Sequence, residues 1–200
     1  PGRPISHNFM GHFTEFDHRE ICKDLNIAAW DSYPLGFLQN MQSIARGDKK
    51  LLEDCYNIGD PDFQSYHHDL YRGMGRLWIM EQQPGPVNWA RYNPVPIPGA
   101  VRMWTWEAFA HNAEVVSYFR WRQAPFAQEQ MHSGLMLRDN SPNIGSQEVM
   151  QVSKEIQMIN LPKTENSEIA LMHDYEACWM TELDGQTADF HYTRLMLDFY

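Results

Sequence analysis

Cysteine, positive charge and long apolar runs are all scarce in this 200-residue sequence, and each scarcity excludes a class of protein. The three cysteines are far apart and odd in number, which excludes a disulfide framework and a zinc site of the usual spacing. Only 16 basic residues stand against 26 acidic ones, and the net charge of −10 disfavours nucleic acid as a partner. No apolar run approaches the ~20 residues that cross a bilayer, so we expect no membrane partner.

The sequence gives equally little support for a cofactor or a metal. It contains no GxGxxG or GxxxxGK(S/T) loop, which lowers the expectation of a nucleotide site. The pair His67-His68 lies on a predicted helix, where adjacent side chains point in different directions and make a poor chelate. We therefore expect no cofactor and no metal. Unpaired thiols of this kind are typical of the cytoplasm, which is the location we expect.

Large aromatic residues, in contrast, are abundant. The chain has seven Trp, nine Tyr and ten Phe, within a globular composition of 43% hydrophobic and 21% charged residues. Large aromatics fill cores first, and a surplus also suits stacking on carbohydrate.

Apolar segments of strand length alternate four times with segments of helical period. The predicted strands are Pro4–Met10, Ile27–Trp30, Leu77–Met80 and Val115–Phe119. The predicted helices are Thr14–Asn26, Gly36–Ile44, Asp62–Met74, Gly99–Asn112 and Ser146–Ile159. This alternation favours a (β/α) barrel or a doubly wound sheet, although four units cannot close a barrel of eight strands. Residues 161–168 are predicted to be a linker, followed by a strand at Ile169–Met172 and a helix at Asp189–Tyr200.

Polar side chains follow the predicted strands where each one ends, and the most informative is in LWIMEQQPGPVNWARY. Glu81 comes directly after the strand Leu77–Met80, and Asn88 and Trp89 lie on the loop beyond it. In parallel α/β folds, active sites are built at this carboxyl edge of the sheet. A carboxylate, an amide and an indole face suit a sugar site. From this stretch alone, a Glu81 that caps a helix or pairs with an arginine is an equal alternative.

Several runs resemble the β-galactosidases of glycoside hydrolase family 42. They are HNFMG, WDSYP, WIMEQQPGPVNWARYNP, MWTWEAFAHNAE, SYFRWRQ and QEQMHSGL. The resemblance implies an α/β fold in which residues 1–160 are the C-terminal half, strands five to eight, of a (β/α)8 TIM barrel. Residues 161–200, with IALMHDYEACW, resemble the start of the family's flavodoxin-like trimerisation domain. A homotrimer is then expected for the full-length protein, and a bacterial cytoplasm for its location.

The resemblance also implies a retaining mechanism that uses two glutamates. Glu81, in the MEQ motif, matches the nucleophile, and Tyr33, in WDSYP, is similar to a tyrosine that contacts it. The acid/base of the family lies in an Asn-Glu pair after the fourth strand. No such pair occurs in this sequence, so we expect that residue upstream of Pro1. Asp31 receives no definite role from the resemblance.

Four further residues match the sugar pocket of the family. Trp89 matches a stacking tryptophan, and Phe119 an aromatic that lines the pocket. Glu129 and His132, in EQMH, match residues that hydrogen-bond galactose hydroxyls. Without the resemblance, a solvated Glu129 and a packing His132 would be the simpler interpretation.

The expected function is hydrolysis of terminal, non-reducing β-D-galactose residues by double displacement, with a β-galactoside as substrate. The alternative is a truncated, inactive barrel that acts at most as a galactose-binding or assembly module. A third interpretation is a retaining glycosidase on the same barrel with another sugar specificity.

Overall fold

Four parallel strands form the centre of the chain. The computed structural model describes residues 2–11, 13–40, 49–161, 167–185, 187–188 and 190–200. The strands are β1 (Ser6–Met10), β2 (Ile27–Ser32), β3 (Arg76–Gln82) and β4 (Ala113–Tyr118). They lie in the order β1-β2-β3-β4, and each neighbouring pair is parallel. All four strands predicted up to residue 119 are therefore confirmed, with shifts at their ends.

Eight helices accompany the strands in the described residues. They are α1 (His18–Cys22), α2 (Pro34–Asn40), α3 (Lys49–Cys55), α4 (Pro61–Arg72), α5 (Ala100–Ala110), α6 (Ile144–Ile156), α7 (Tyr175–Leu183) and α8 (Tyr192–Phe199). The sequence predicted neither α3 nor α7. Of the helix predicted over 36–44, residues 41–44 lie outside the described residues, as do residues 162–166 of the predicted linker.

Local hydrogen bonds explain where two helices begin. Of the helix predicted over 14–26, only α1 forms. It begins after Asp17, because the Asp17 side chain caps the helix by accepting from the Arg19 amide. At its other end, Asn26 Oδ1 instead accepts from the Ile5 amide, 2.9 Å away. In α4, Asp60 is the N-cap and Pro61 occupies the first turn, where a missing N–H costs nothing.

The strand predicted at Ile169–Met172 is wrong. These residues adopt neither helix nor strand, and Ile169 and Met172 are largely exposed. Four apolar residues become a strand only when a neighbouring strand satisfies their backbone groups, and none of the described strands pairs with them. The helix predicted over 189–200 is confirmed from Tyr192 onwards as α8.

One face of the sheet packs on α4 through the fully buried Trp30. Its indole stacks on His67 and Tyr71, with ring centroids 5.4 and 5.8 Å away, and its Nε1 donates to His68 Nδ1 at 3.2 Å. His67 Nδ1 lies 2.6 Å from the carbonyl oxygen of Phe63. Both histidines of the adjacent pair are thus buried in aromatic packing.

The C-terminal segment shares this core. His18 of α1 lies 2.6 Å from the Tyr175 hydroxyl, and Tyr66 of α4 lies 2.5 Å from His173. Cys178, Met196 and Leu197, from α7 and α8, belong to the same apolar cluster as Trp30. Buried aromatic and hydrogen-bonded contacts therefore join residues 173–200 to the helices on the sheet.

Candidate active site

Glu81 is the penultimate residue of β3 and lies opposite Asp31 of β2. The predicted strand ended one residue before Glu81, which is wrong, because the ladder continues. The Gln83 amide donates to the Ser32 carbonyl at 2.9 Å, and the Phe119 amide to the Gln82 carbonyl at 3.2 Å. The ladder holds the Glu81 backbone at the carboxyl edge of the sheet.

Two donors fix the Glu81 carboxylate. The Tyr33 hydroxyl donates to Oε2 at 2.5 Å, and Asn8 Nδ2 donates to Oε1 at 3.3 Å. Tyr33 is only 3% exposed, and burial, followed by the Glu81 hydrogen bond, raises its pKa far above the ordinary value. Its hydroxyl therefore keeps its proton and remains a donor. Tyr33, which the sequence motif predicts beside Glu81, is therefore in direct contact with its carboxylate.

Asp31 is a second carboxyl group beside Glu81. It is 5% exposed, and its Oδ1 has no hydrogen-bond partner among the described residues. Burial, and then the charge of Glu81, raise the pKa of Asp31 to about 8, although a hydrogen bond from Asn8 partly opposes the shift.

Trp89 forms an aromatic wall next to Tyr33. The two rings lie edge to face with centroids 5.4 Å apart, and Phe37 of α2 supports Trp89 at 5.8 Å. The indole passes directly over Gly36, where any Cβ would overlap the ring. The indole is partly accessible to solvent, which leaves an aromatic surface next to Tyr33.

His132, on the loop after β4, packs against the aromatic side chains of Tyr33 and Phe119. It is 1% exposed, and its ring lies edge-on to Phe119 at 5.1 Å and to Tyr33 at 5.7 Å. His132 Nδ1 is 3.1 Å from Asn88 Oδ1, whereas Nε2 is buried without a partner in the described part of the chain. Burial is the main reason that the pKa of His132 is lowered, which favours the neutral ring.

Glu129 lies at the solvent-exposed edge of the site and not among the buried side chains of Tyr33 and His132. Its side chain is 45% exposed and pairs with Arg120 across 3.3 Å. Arg120 also donates to the Glu129 carbonyl oxygen at 2.7 Å, and the His132 amide donates to the same oxygen at 2.8 Å. The carboxylate therefore belongs to the same sheet edge as Glu81, because the Arg120 that holds it directly follows Phe119 there.

Two residues of the site were missed as site residues. Asn8 bonds Glu81, and Gln83 fixes the loop by accepting from the Leu35 amide at 3.0 Å and donating to the Gly85 carbonyl at 2.8 Å. Asn8 carried a signal, since it is a polar residue at a predicted strand end. Gln83 carried none, because its partners are backbone groups, and that of Leu35 is distant in sequence.

The known proteins that match this chain agree on one family. The family model described as β-galactosidase, glycoside hydrolase family 42, matches residues 1–159. The chain belongs to glycoside hydrolase family 42. The resemblance seen in the sequence motifs is therefore confirmed.

Relatives within the family are substantially longer. A β-galactosidase of Thermus sp. is 54% identical over 202 residues, and one of Thermus thermophilus is 52% identical; both matches cover 100% of this chain. The chain spans 31% of the length of each of these relatives.

Solved structures of the family share the fold. The β-galactosidase from Marinomonas ef1 superposes with a TM-score of 0.92 at 46% identity, over 98% of this chain and 31% of that one. The β-galactosidase from Halorubrum lacusprofundi superposes with a TM-score of 0.91 at 38% identity, over 98% of this chain and 29% of that one. The α/β architecture with a parallel sheet is thus shared with family members. None of the helices in the described ranges is long and apolar enough to cross a membrane.

Proposed function

We propose that this chain is part of the catalytic unit of a retaining β-galactosidase and that Glu81 is its nucleophile. The observation that carries the proposal is the Glu81 carboxylate at the carboxyl edge of the sheet, with Tyr33 bonded to one oxygen and Asn8 to the other. Trp89 and His132 each pack edge to face against the Tyr33 ring, next to this carboxylate. The names of the relatives supply the sugar, galactose.

The double displacement assigns a step to Glu81. One of its oxygens forms a bond to the anomeric carbon while the bond from that carbon to the leaving-group oxygen breaks. A second carboxyl group protonates the leaving group and later deprotonates the attacking water. The Tyr33 hydroxyl orients the attacking carboxylate and donates to it when it is restored in the second step.

The sugar is bound by the groups around Glu81 in this proposal. Trp89 and Phe119 offer apolar surfaces to the pyranose ring. Buried His132 and rim-located Glu129 hydrogen-bond galactose hydroxyls. A site built for a given hydroxyl rejects an epimer, because its own buried polar groups are then left unpaired.

The place of the chain in the whole protein is also a proposal. We assign residues 1–160 to the C-terminal half, strands five to eight, of a (β/α)8 barrel and residues 161–200 to the start of a flavodoxin-like trimerisation domain. The family model ends at residue 159, and the chain spans about a third of its relatives, which supports both assignments. The acid/base then belongs to another part of a longer, homotrimeric and cytoplasmic protein.

A second candidate is an inactive galactose-binding or assembly module. The observation that favours it is the lack of any Asn-Glu pair in the sequence. The two candidates differ in whether the full-length protein turns over substrate.

The full-length protein tests the proposal with an aryl β-D-galactoside and the matching β-D-glucoside. We expect preference for the galactoside, and proton NMR should show β-galactose as the first product, because two displacements retain the configuration. An α-anomer as first product would refute the double displacement, and equal use of the glucoside would refute the sugar assignment. Absence of turnover would favour the inactive module.

Replacing Tyr33 by phenylalanine tests the contact with the nucleophile. The change removes the hydrogen bond to Glu81 Oε2 and leaves the ring contacts with Trp89 and His132. A hydrogen bond to a charged group contributes about 1.5–3 kcal/mol, so we expect kcat/KM to fall roughly 10- to 100-fold. Tyr56→Phe, at an exposed tyrosine, is the control. An unchanged kcat/KM in Tyr33→Phe would remove Tyr33 from the mechanism.

A further inference from the structure

The proposed mechanism assigns no role to the carboxyl group of Asp31. Asp31 lies directly across the strand ladder from Glu81, it is 5% exposed, and its Oδ1 finds no partner among the described residues. A carboxylate that is buried with an unpaired oxygen is strongly disfavoured in its ionised form, and it normally takes up a proton instead. Asp31 would stay ionised at neutral pH only beside a compensating positive charge.

Among the described residues, the groups that face Asp31 provide no positive charge. From β1 comes the neutral amide of Asn8, from β3 the carboxylate of Glu81, and from the chain around it the phenols of Tyr33 and Tyr71. None of the ion pairs between described residues includes Asp31. Two carboxyl groups that share a site do not readily ionise together, and Glu81 is the one with two donors.

We propose that Asp31 is a protonated carboxylic acid at neutral pH and serves, through Asn8, as a positioning residue for Glu81. The Asn8 amide donates to Glu81 Oε1 at 3.3 Å and also lies next to Asp31, whose pKa it lowers. With Asp31 neutral, Asn8 is shared between one charged and one uncharged acceptor, and the stronger bond goes to Glu81. Loss of the Asp31 proton places a second negative charge beside Glu81 and makes Asp31 an equal competitor for Asn8.

The positioning role rests on the proposed function, whereas the protonation state does not, and it has its own readout. A folded-state pKa of about 8 lies above the unfolded value for an aspartate, so the folded protein holds a proton that the unfolded chain releases. The stability due to this proton is complete below about pH 4 and is lost as the pH rises through about 8.

The first experiment measures denaturant unfolding of wild type and Asp31→Asn between pH 5 and 8. Asparagine keeps the shape and cannot ionise. We expect the unfolding equilibrium constant of wild type, divided by that of the variant, to rise about tenfold per pH unit. Asp24→Asn makes the same side-chain substitution at an exposed position and is the control. A ratio for Asp31→Asn that stays constant across this range would overturn the proposal.

A measurement on wild type alone covers the case in which Asp31→Asn does not fold. Infrared spectroscopy of the folded protein at pH 7 should show the carbonyl stretch of a protonated carboxylic acid, and the band should disappear above pH 9. If all carboxyl groups are ionised at pH 7, Asp31 is not protonated and the proposal fails.

Kinetics of the full-length protein separate positioning from catalysis. We expect Asp31→Asn to keep kcat/KM for an aryl β-galactoside within about tenfold of wild type at pH 7, and Asp31→Ala, which removes the partner of Asn8, to lose more. A general acid contributes about 10²–10⁴-fold, so a loss of that size in Asp31→Asn would make Asp31 the proton donor and overturn the positioning role. If wild type is itself inactive, the proposed function fails, while the unfolding and infrared experiments still decide the protonation of Asp31.

Discussion

Replacing Glu81 by alanine in the full-length protein is expected to lower kcat for an aryl β-galactoside by at least about 10³-fold, with the fold intact. The reason is that alanine removes the carboxylate, held by Tyr33 and Asn8, that attacks the anomeric carbon in the proposed mechanism. Stability should change little, because the side chain is half-buried and its two partners can bind water in the space that is vacated. Steady-state kinetics and circular dichroism measure the two effects.

Azide distinguishes loss of the nucleophile from general damage. The anion fits the space left by the carboxylate and attacks the same carbon once, so the expected product is a glycosyl azide of inverted configuration. Glu20→Ala is the matched control, since Glu20 is an exposed glutamate in a surface pair with Lys23, 2.6 Å away. Full activity of Glu81→Ala, or loss without azide rescue, would contradict the assignment.

Acid is expected to destabilise the packing of the C-terminal segment through His18 and His173. Burial is the first cause that lowers the pKa of each to about 4, and their mutual repulsion or a neighbouring arginine adds to it. Because these values lie below the unfolded value of about 6.5, the unfolded chain binds protons that the folded protein does not. Stability is therefore complete above about pH 6.5 and falls as the pH drops towards 4.

The expected loss of unfolding free energy in acid is large for two side chains. At pH 4.5, each histidine should cost about 2 kcal/mol of unfolding free energy relative to pH 7. The double variant His18→Gln/His173→Gln removes both titrations, while glutamine can still bond Tyr175 and Tyr66. Denaturant unfolding at the two pH values should therefore show a smaller acid loss in the variant. His191→Gln, at an exposed histidine, is the control, and an equal acid loss in the double variant and wild type would contradict the prediction.

The sequence by itself determined the strand–helix alternation and the family, and it singled out Glu81 at the end of a strand. These conclusions rest on local patterns: apolar runs of strand length, a 3.6-residue period, and motifs such as MEQ and WDSYP. The expectation that Tyr33 contacts Glu81 came from the resemblance of WDSYP to the family motif and not from strand geometry.

Only the tertiary structure decided which partners each side chain has. Glu81 lies inside β3 and not after it, since backbone groups of Ser32 and Phe119 extend the ladder. The segment 169–172 has strand-like residues and no strand beside it. Asp31, finally, has an ordinary aspartate sequence context, and its proton is held by burial and by the charge of a residue 50 positions away. Local sequence encodes what a segment prefers, whereas burial and long-range pairing arise only when the chain is folded.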